Sequence, residues 1–501
     1  MRSVEELTIH DLQAGMAVGE FTACDIVDAY LSRIDALDRQ GPRLNAVIEL
    51  NPDAPSIADA LDAERAERGP RGPLHGIPIL LKDNIDTAGS MCTTAGSLAL
   101  AGSVAKEDAH LVRRLREAGA IILGKTNLSE WSNFRSTHST SGWSSRGGLT
   151  RNPYALDRNP SGSSAGSAVA VAASLCAAAV GTETDGSIVS PASHNAVVGI
   201  KPTLGAISRS GIIPIAHSQD TAGPLARTVA DAALLLGAMI GVDPRDSATG
   251  ACAGRLPVDY SFCLDPDGLR GARIGVARNV SDFHPRTWEV LEDCLAVMRD
   301  CGAEIVDPVE IENARRLAGR EFEVLLYEFK ADLNSYLAGR GPDVPVHSLA
   351  EVIAFNEAHR DVVMPYFGQE IMLMAEEKGP LTDPAYREAL EKGRRLAGAE
   401  GIDATLARHR LDAIVAPSGD APPLTDLVNG DGGGAGSSTP AAVAGYPSIS
   451  VPAGFVYGLP VGISFIGPAY SEPTLIRLAY AFERAVQVRR PPQYLPTIPM
   501  M

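Results

Sequence analysis

Residues 159–203 read NPSGSSAGSAVAVAASLCAAAVGTETDGSIVSPASHNAVVGIKPT, and the rest of the chain is organised around them. Two glycine- and hydroxyl-rich knots stand out, SGSSAGS at 161–167 and GTETDGS at 181–187. Between them, residues 168–180 are almost all Ala, Val, Leu, Ser and Cys, which predicts a buried helix whose neighbours approach closely. Glycine permits positive φ, so successive backbone N–H groups can converge on one point. Such a point suits an oxyanion or a bound anion, and the serines are candidate nucleophiles.

Upstream, Gly76-Ile-Pro-Ile-Leu-Leu-Lys82-Asp83-Asn84 is a continuous apolar run that ends in one lysine. It predicts a buried strand that delivers a single amine to its end. A lysine that simply surfaces where the strand exits is the plain alternative. Burial favours the neutral amine, a potential base. The flanking Asp83 opposes that effect unless it points away.

Around these segments the chain alternates. Ser3-Val-Glu-Glu6 has the form of a capping box and predicts a helix to about Ala17; Thr22-Ala-Cys-Asp25 predicts a second. Residues 107–118 predict a helix and 120–124 a strand. Gly119-Ala-Ile-Ile-Leu-Gly124-Lys125-Thr126 matches the nucleotide-binding pattern GxxxxGK[ST], but there the intervening residues form a flexible loop after a strand, and here they are the strand. Ser103-Val-Ala-Lys106 matches SxxK without a following KTG. Residues 127–148 form a polar loop that holds two of the three tryptophans and reads as a substrate-facing wall, with Ser132, Asn133 and Ser139 as candidate contacts. Residues 210–228 are turn-rich and lead to a helix from Val229. His194 and His217 read as structural hydrogen-bonding residues.

Beyond Ala272, strands at 274–277, 304–306, 411–416, 448–451 and 461–466 alternate with helices at 285–301 and 472–486. A charged, amphipathic helical region over about 315–408 is placed to form one side of a substrate entrance. Strands alternating with helices predict an α/β fold: one large domain over 1–501 with a mixed central β-sheet covered by α-helices. Within it we expect a helical N-terminal arm (1–40), a core (65–240 and 405–490) and a helix-rich periphery (280–405).

The net charge of −17 argues against nucleic acid or an anionic membrane as partner. Seven scattered cysteines without a CxxC pair read as reduced thiols, and the first residues carry no apolar signal core, so a cytoplasmic location is expected. No HExxH or His/Cys cluster with ligand spacing occurs, so no metal and no cofactor are expected.

The motif Gly162-Ser-Ser164-Ala-Gly166 is a GxSxG elbow that would make Ser164 the nucleophile. An elbow requires a strand immediately before it, and residues 150–160 are turn-like instead. The whole set of motifs resembles the amidase signature family of serine hydrolases, whose pattern is GGSSGGS, then GTDTGGSIRxPA, then GLKPT, with a lysine in GxPxxxKDN. The match implies a catalytic Lys82, a bridging Ser163 with a cis Gly162–Ser163 peptide, and Ser187 as nucleophile, 24 residues after Ser163. It also implies the amidase signature fold and an oxyanion hole made of the N–H groups of Thr184, Asp185, Gly186 and Ser187. The reaction implied is hydrolysis of a carboxamide C–N bond through an acyl-enzyme.

Three positions depart from the pattern. Asp185 stands for a Gly, Glu183 for an Asp, and Val189 for an Arg that would brace the loop. Asp185 therefore either braces the turn or meets a cationic group of the substrate. Together with residues 128–148 and 208–224, the motifs are most similar to those of bacterial peptide amidases, which release ammonia from C-terminal peptide amides. A small-molecule or peptide amide substrate and a monomer or homodimer are expected. A general aliphatic or aryl amidase and a glutaminase-like subunit of a tRNA-dependent amidotransferase are the alternatives; a silent binding protein is disfavoured because all three catalytic positions are intact.

Overall fold

In the computed structural model, which describes residues 3–342, 344–432 and 434–499, eleven strands form one sheet. Its middle runs Ile121–Thr126, Pro78–Lys82, Ala178–Glu183, Thr221–Ala226, Val198–Lys201, Ser448–Val456 and Leu459–Ile466, followed by Ala413–Pro417, Arg273–Ala277 and Glu304–Val309; Val47–Leu50 closes the other edge. The sheet is mixed. Pro78–Lys82 lies parallel to both its neighbours, whereas Ala178–Glu183 and Thr221–Ala226 pair antiparallel. The central strands are buried along their whole length, which explains why they read as unbroken apolar runs rather than alternating ones. The expected α/β architecture is therefore present.

The register fixes the chemistry. Leu81 pairs with Val180, so Lys82 emerges beside Gly181 and Thr182 at the end of the neighbouring strand. Helix Ala165–Ala172 packs across these strands, and its small residues permit close approach. A Cβ on Gly166 would run into the backbone of Ala46 and Asn127, so this position requires glycine.

Several sequence expectations change. Residues 168–180 are not one helix: the helix ends at Ala172, Ser174 takes φ +52°, and the chain re-enters the sheet at Ala178. Small apolar residues suit both environments, so periodicity could not separate them. The first helix is Ile9–Ala17, capped by Thr8 and Asp11, not by Ser3. There the reciprocal bonds form, with Thr8 N–H on Asp11 at 3.0 Å and Asp11 N–H on Thr8 Oγ1 at 3.1 Å, while Glu6 at φ +58° breaks any earlier start. The helix expected at 107–118 spans His110–Glu117. The turn-rich segment before Val229 ends in a central strand, Thr221–Ala226.

The region from 280 to 405 supplies the helices Pro285–Asp300, Ala318–Ala338, Leu349–Ala358, Glu370–Glu376 and Pro384–Ala397, but also an edge strand, Glu304–Val309. It grips the loop 127–148 through Arg135. That guanidinium is fully buried, pairs with Glu130 at 2.8 Å, and donates to the carbonyls of Val363, Phe367 and Gly368. The Phe367 ring lies 4.3 Å from it. No helix among the described residues is long and apolar enough to cross a membrane.

Candidate active site

Lys82 sits at the end of its strand with no solvent exposure. Its Nζ lies 2.7 Å from Ser163 Oγ, 2.8 Å from Thr182 Oγ1 and 3.2 Å from the Thr182 carbonyl. Thr182 Oγ1 also accepts from Asn84 Nδ2 at 3.0 Å. Desolvation lowers the Lys82 ammonium to about 7, against the opposing pull of Asp220 and Glu183. Asp83 points away. Its Oδ2 accepts from Thr94 Oγ1, from Gly96 N–H and from Arg146, on the opposite side of the strand from Ser163.

The two serine-rich knots meet at this point. The Gly162–Ser163 peptide is cis, and Ser164 N–H donates to the Ser187 carbonyl at 3.2 Å. Ser164, the alternative nucleophile, is fully buried. Its hydroxyl donates to the Thr182 carbonyl at 3.0 Å and accepts from Thr182 N–H at 3.2 Å, so it is committed to the sheet.

The turn 184–187 leaves the strand end with Gly186 at φ +80°, a conformation in which any Cβ is strained. Among the described residues, the N–H groups of Asp185, Gly186 and Ser187 meet no acceptor. Side chains hold the turn from four directions. Glu183 Oε2 accepts from Ile188 N–H at 2.7 Å and Val189 N–H at 3.0 Å, which ties the far end of the turn to the strand. Asp220 accepts from Thr184 Oγ1 at 2.6 Å, and burial raises its carboxyl to about 6. Gln219 Nε2 reaches the Thr184 carbonyl at 3.3 Å. Thr439 Oγ1 donates to Asp185 Oδ2 at 2.6 Å. Asp185 thus braces the turn.

Two cavities flank it. One, of about 620 Å³, is bordered by Gly162, Asp185 and Gly186 and extends to Asp420, Asp431 and Arg315. The other, about 170 Å³, is bordered by Asn84, Ser132, Thr182, Thr184 and Asp220. Of the three loop candidates, Ser132 lines the small cavity. Asn133 lies next to it in the chain without lining either cavity, and Ser139 turns its hydroxyl to the Ser136 carbonyl at 2.9 Å. His194 borders the large cavity as a neutral imidazole, pushed down to about 4 by burial.

His217 pairs with Asp332 at 2.8 Å and faces Glu328 at 3.5 Å, a trio with metal-ligand spacing. The hydrogen bond to Asp332 raises the imidazole above its ordinary range. The remaining Glu328 oxygen accepts from Ser218 N–H at 2.8 Å.

Thr182, Glu183 and Asp220 lie inside the sequence motifs, yet their supporting roles emerge only in three dimensions. Glu321 and Thr439 approach the turn from helices with no motif at all.

A model of the family described as Amidase matches residues 25–476. The chain belongs to the amidase family. The native peptide amidase of Stenotrophomonas maltophilia superimposes with a TM-score of 0.92 at 53% identity, over 98% of this chain and 99% of that one. A probable amidase of Arabidopsis thaliana is 43% identical over 98% of this chain and 92% of its own length. A glutamyl-tRNA(Gln) amidotransferase subunit of Halorhodospira halophila is 35% identical over 96% of this chain and 97% of its own. This amidase therefore shares the family fold and is an amide-hydrolysing enzyme.

Proposed function

We propose that this amidase hydrolyses the terminal carboxamide of peptide amides and amino acid amides, with Ser187 as nucleophile, Ser163 as proton relay and Lys82 as base. One observation carries the reading: a fully buried amine 2.7 Å from a serine hydroxyl, with its charge disfavoured. A neutral amine has two hydrogens and one lone pair. The Thr182 carbonyl and Thr182 Oγ1 take the hydrogens, and the lone pair faces Ser163. Ser163 gives its proton to Lys82 and takes the proton of Ser187, whose oxygen attacks the amide carbon. The N–H groups of Asp185, Gly186 and Ser187, with Thr184 at the head of the turn, stabilise the oxyanion. On collapse the C–N bond breaks, and the proton held on Lys82 returns through Ser163 to the leaving nitrogen. Water then cleaves the ester by the same relay, releasing the acid and restoring Ser187.

The peptide-amide assignment draws on the 53% identity to a peptide amidase and on a 620 Å³ cavity, a volume that suits a peptide-sized acyl group. Arg315 and Ala318 border that cavity, which supports the helical region over about 315–408 as one side of the entrance. The 35% identity to an amidotransferase component keeps glutamine as a second candidate.

Ammonia release from amidated peptides, amino acid amides, simple aryl and fatty amides and free glutamine tests the reading. Amidated peptides are expected to lead, with Ser187→Ala inactive. If simple amides or glutamine lead, the substrate class is wrong; full activity in Ser187→Ala removes the nucleophile.

A further inference from the structure

Glu321 lies in the first turn of helix Ala318–Ala338, far in sequence from every motif, and is only 7% exposed. Its Oε1 accepts a hydrogen from Gln219 Nε2 at 2.8 Å, and the same nitrogen gives its other hydrogen to the Thr184 carbonyl at 3.3 Å. The Glu321 carboxyl also meets the carboxyl of Asp185. Asp185 Oδ2 is held by Thr439, while Oδ1 is buried without a donor from any other described group. Two buried carboxylates repel, but one proton between them turns the contact into a hydrogen bond that satisfies Oδ1.

The geometry of the peptide unit gives this contact a consequence. The Thr184 carbonyl and the Asp185 N–H are opposite ends of one planar group, so fixing the carbonyl fixes where the N–H points. Gln219 holds the carbonyl, and Glu321 holds Gln219. We propose that Glu321 is a positioning residue: through Gln219 and Asp185 it clamps both ends of the Thr184–Asp185 step, so that the turn's N–H groups stay aimed at the reacting carbonyl oxygen. The inference rests on the reading of this turn as the oxyanion hole.

Burial first, and Asp185 second, hold the Glu321 carboxyl well above the usual carboxylate range. The charged groups around the pair are Glu183 and Lys201 on the strands behind the turn, Asp220 and His217 on the loop that carries Gln219, Arg394 on the adjoining helix and Arg315 across the cavity. The clamp also accounts for Asp185 at a position where the family pattern has glycine. A glycine offers Glu321 nothing to hold.

The test compares kcat and KM for Glu321→Ala, Glu321→Gln and Gln219→Leu, on the amide that wild type cleaves fastest. Glu321→Ala and Gln219→Leu are expected to lower kcat about 10–100-fold, less than the direct loss of an oxyanion donor, with KM within about threefold. Glu321→Gln supplies a donor for Asp185 and an acceptor for Gln219, and is expected to recover kcat to within about threefold of wild type. If Glu321→Ala does not fold, Gln219→Leu carries the comparison. The proposal is overturned if the variants that lack the clamp keep kcat within twofold, or if Glu321→Gln is as slow as they are. Ser187→Ala, run beside them, separates the two readings: its activity removes the nucleophile whatever Glu321 does, and its inactivity leaves the clamp to be judged on kcat alone.

Discussion

Lys82 Nζ and Ser163 Oγ lie 2.7 Å apart in a site without solvent exposure, joining the end of a parallel strand to a serine 81 residues later. Because burial lowers the amine to about 7, its lone pair is free above that pH and blocked below it. A base must be unprotonated to act, so kcat/KM is expected to rise with pH through an apparent pKa near 7 and to fall about tenfold per unit on the acid side. A pH–rate profile on an uncharged amide checks this. A profile flat down to pH 5 would exclude Lys82 as the base.

The same burial costs stability. The folded-state pKa of Lys82 is about 7, and the ordinary value is 10.5. Between those limits the unfolded chain binds a proton that the folded chain does not, so stability rises with pH across this window, and the cost is fully present below 7. Lys82→Met, which fills the same space without a charge, is expected to abolish activity and to raise unfolding stability by roughly 2 kcal/mol at pH 7. The gain is expected to shrink as pH approaches 10. Urea melts at pH 7 and 9.5 measure both, and a variant less stable than wild type at pH 7 would contradict the argument.

The residues of the proposed mechanism were legible in the sequence more fully than the groups that support them. Lys82, Ser163 and Ser187 stand in motifs because each atom must occupy one place, and the strand that carries Lys82 reads as buried because both its faces are covered. The direction of Asp83 is set by a partner, Arg146, that lies 63 residues away, so no local pattern reports it. The brace from Glu183 was equally hidden: it required the chain to turn back within six residues. The small-residue run misled for a physical reason, since Ala and Val pack as well in the helix Ala165–Ala172 as in the strand Ala178–Glu183.

Arg135 ties the loop 127–148 to the helical periphery. Its removal leaves the Glu130 carboxylate buried without its ion pair, and it also frees the carbonyls of Val363, Phe367 and Gly368. Arg135→Ala is expected to cost about 3–5 kcal/mol, measured by denaturant midpoint at constant m-value. Arg135→Lys keeps the charge but not the planar fork or the stacking on Phe367, and is expected to recover less than half of that loss. Full recovery by lysine would show that charge alone is needed.

The large cavity is expected to select the charge of the acyl group. Asp185, Asp420 and Asp431 border it, and the one cation on its rim among the described residues, Arg315, is engaged by Asp282 at 2.6 Å. Asp431 is occupied by Ser141 N–H at 2.9 Å and Asn159 Nδ2 at 2.8 Å, and Asp185 by its clamp, which leaves Asp420 Oδ2 as the acceptor for an incoming cation. A peptide amide with a lysine or arginine side chain near the scissile bond is expected to exceed its glutamate counterpart in kcat/KM by about tenfold at low salt. Half-molar salt is expected to close most of that gap, since charges on an open rim are screened. Asp420→Asn is expected to narrow the preference at low salt and leave kcat on a neutral peptide amide unchanged, because Asp420 bonds to His284 N–H and Thr287 Oγ1 and to no group of the turn among the described residues. Equal rates for the basic and acidic substrates in wild type would show that the acyl group does not occupy this cavity.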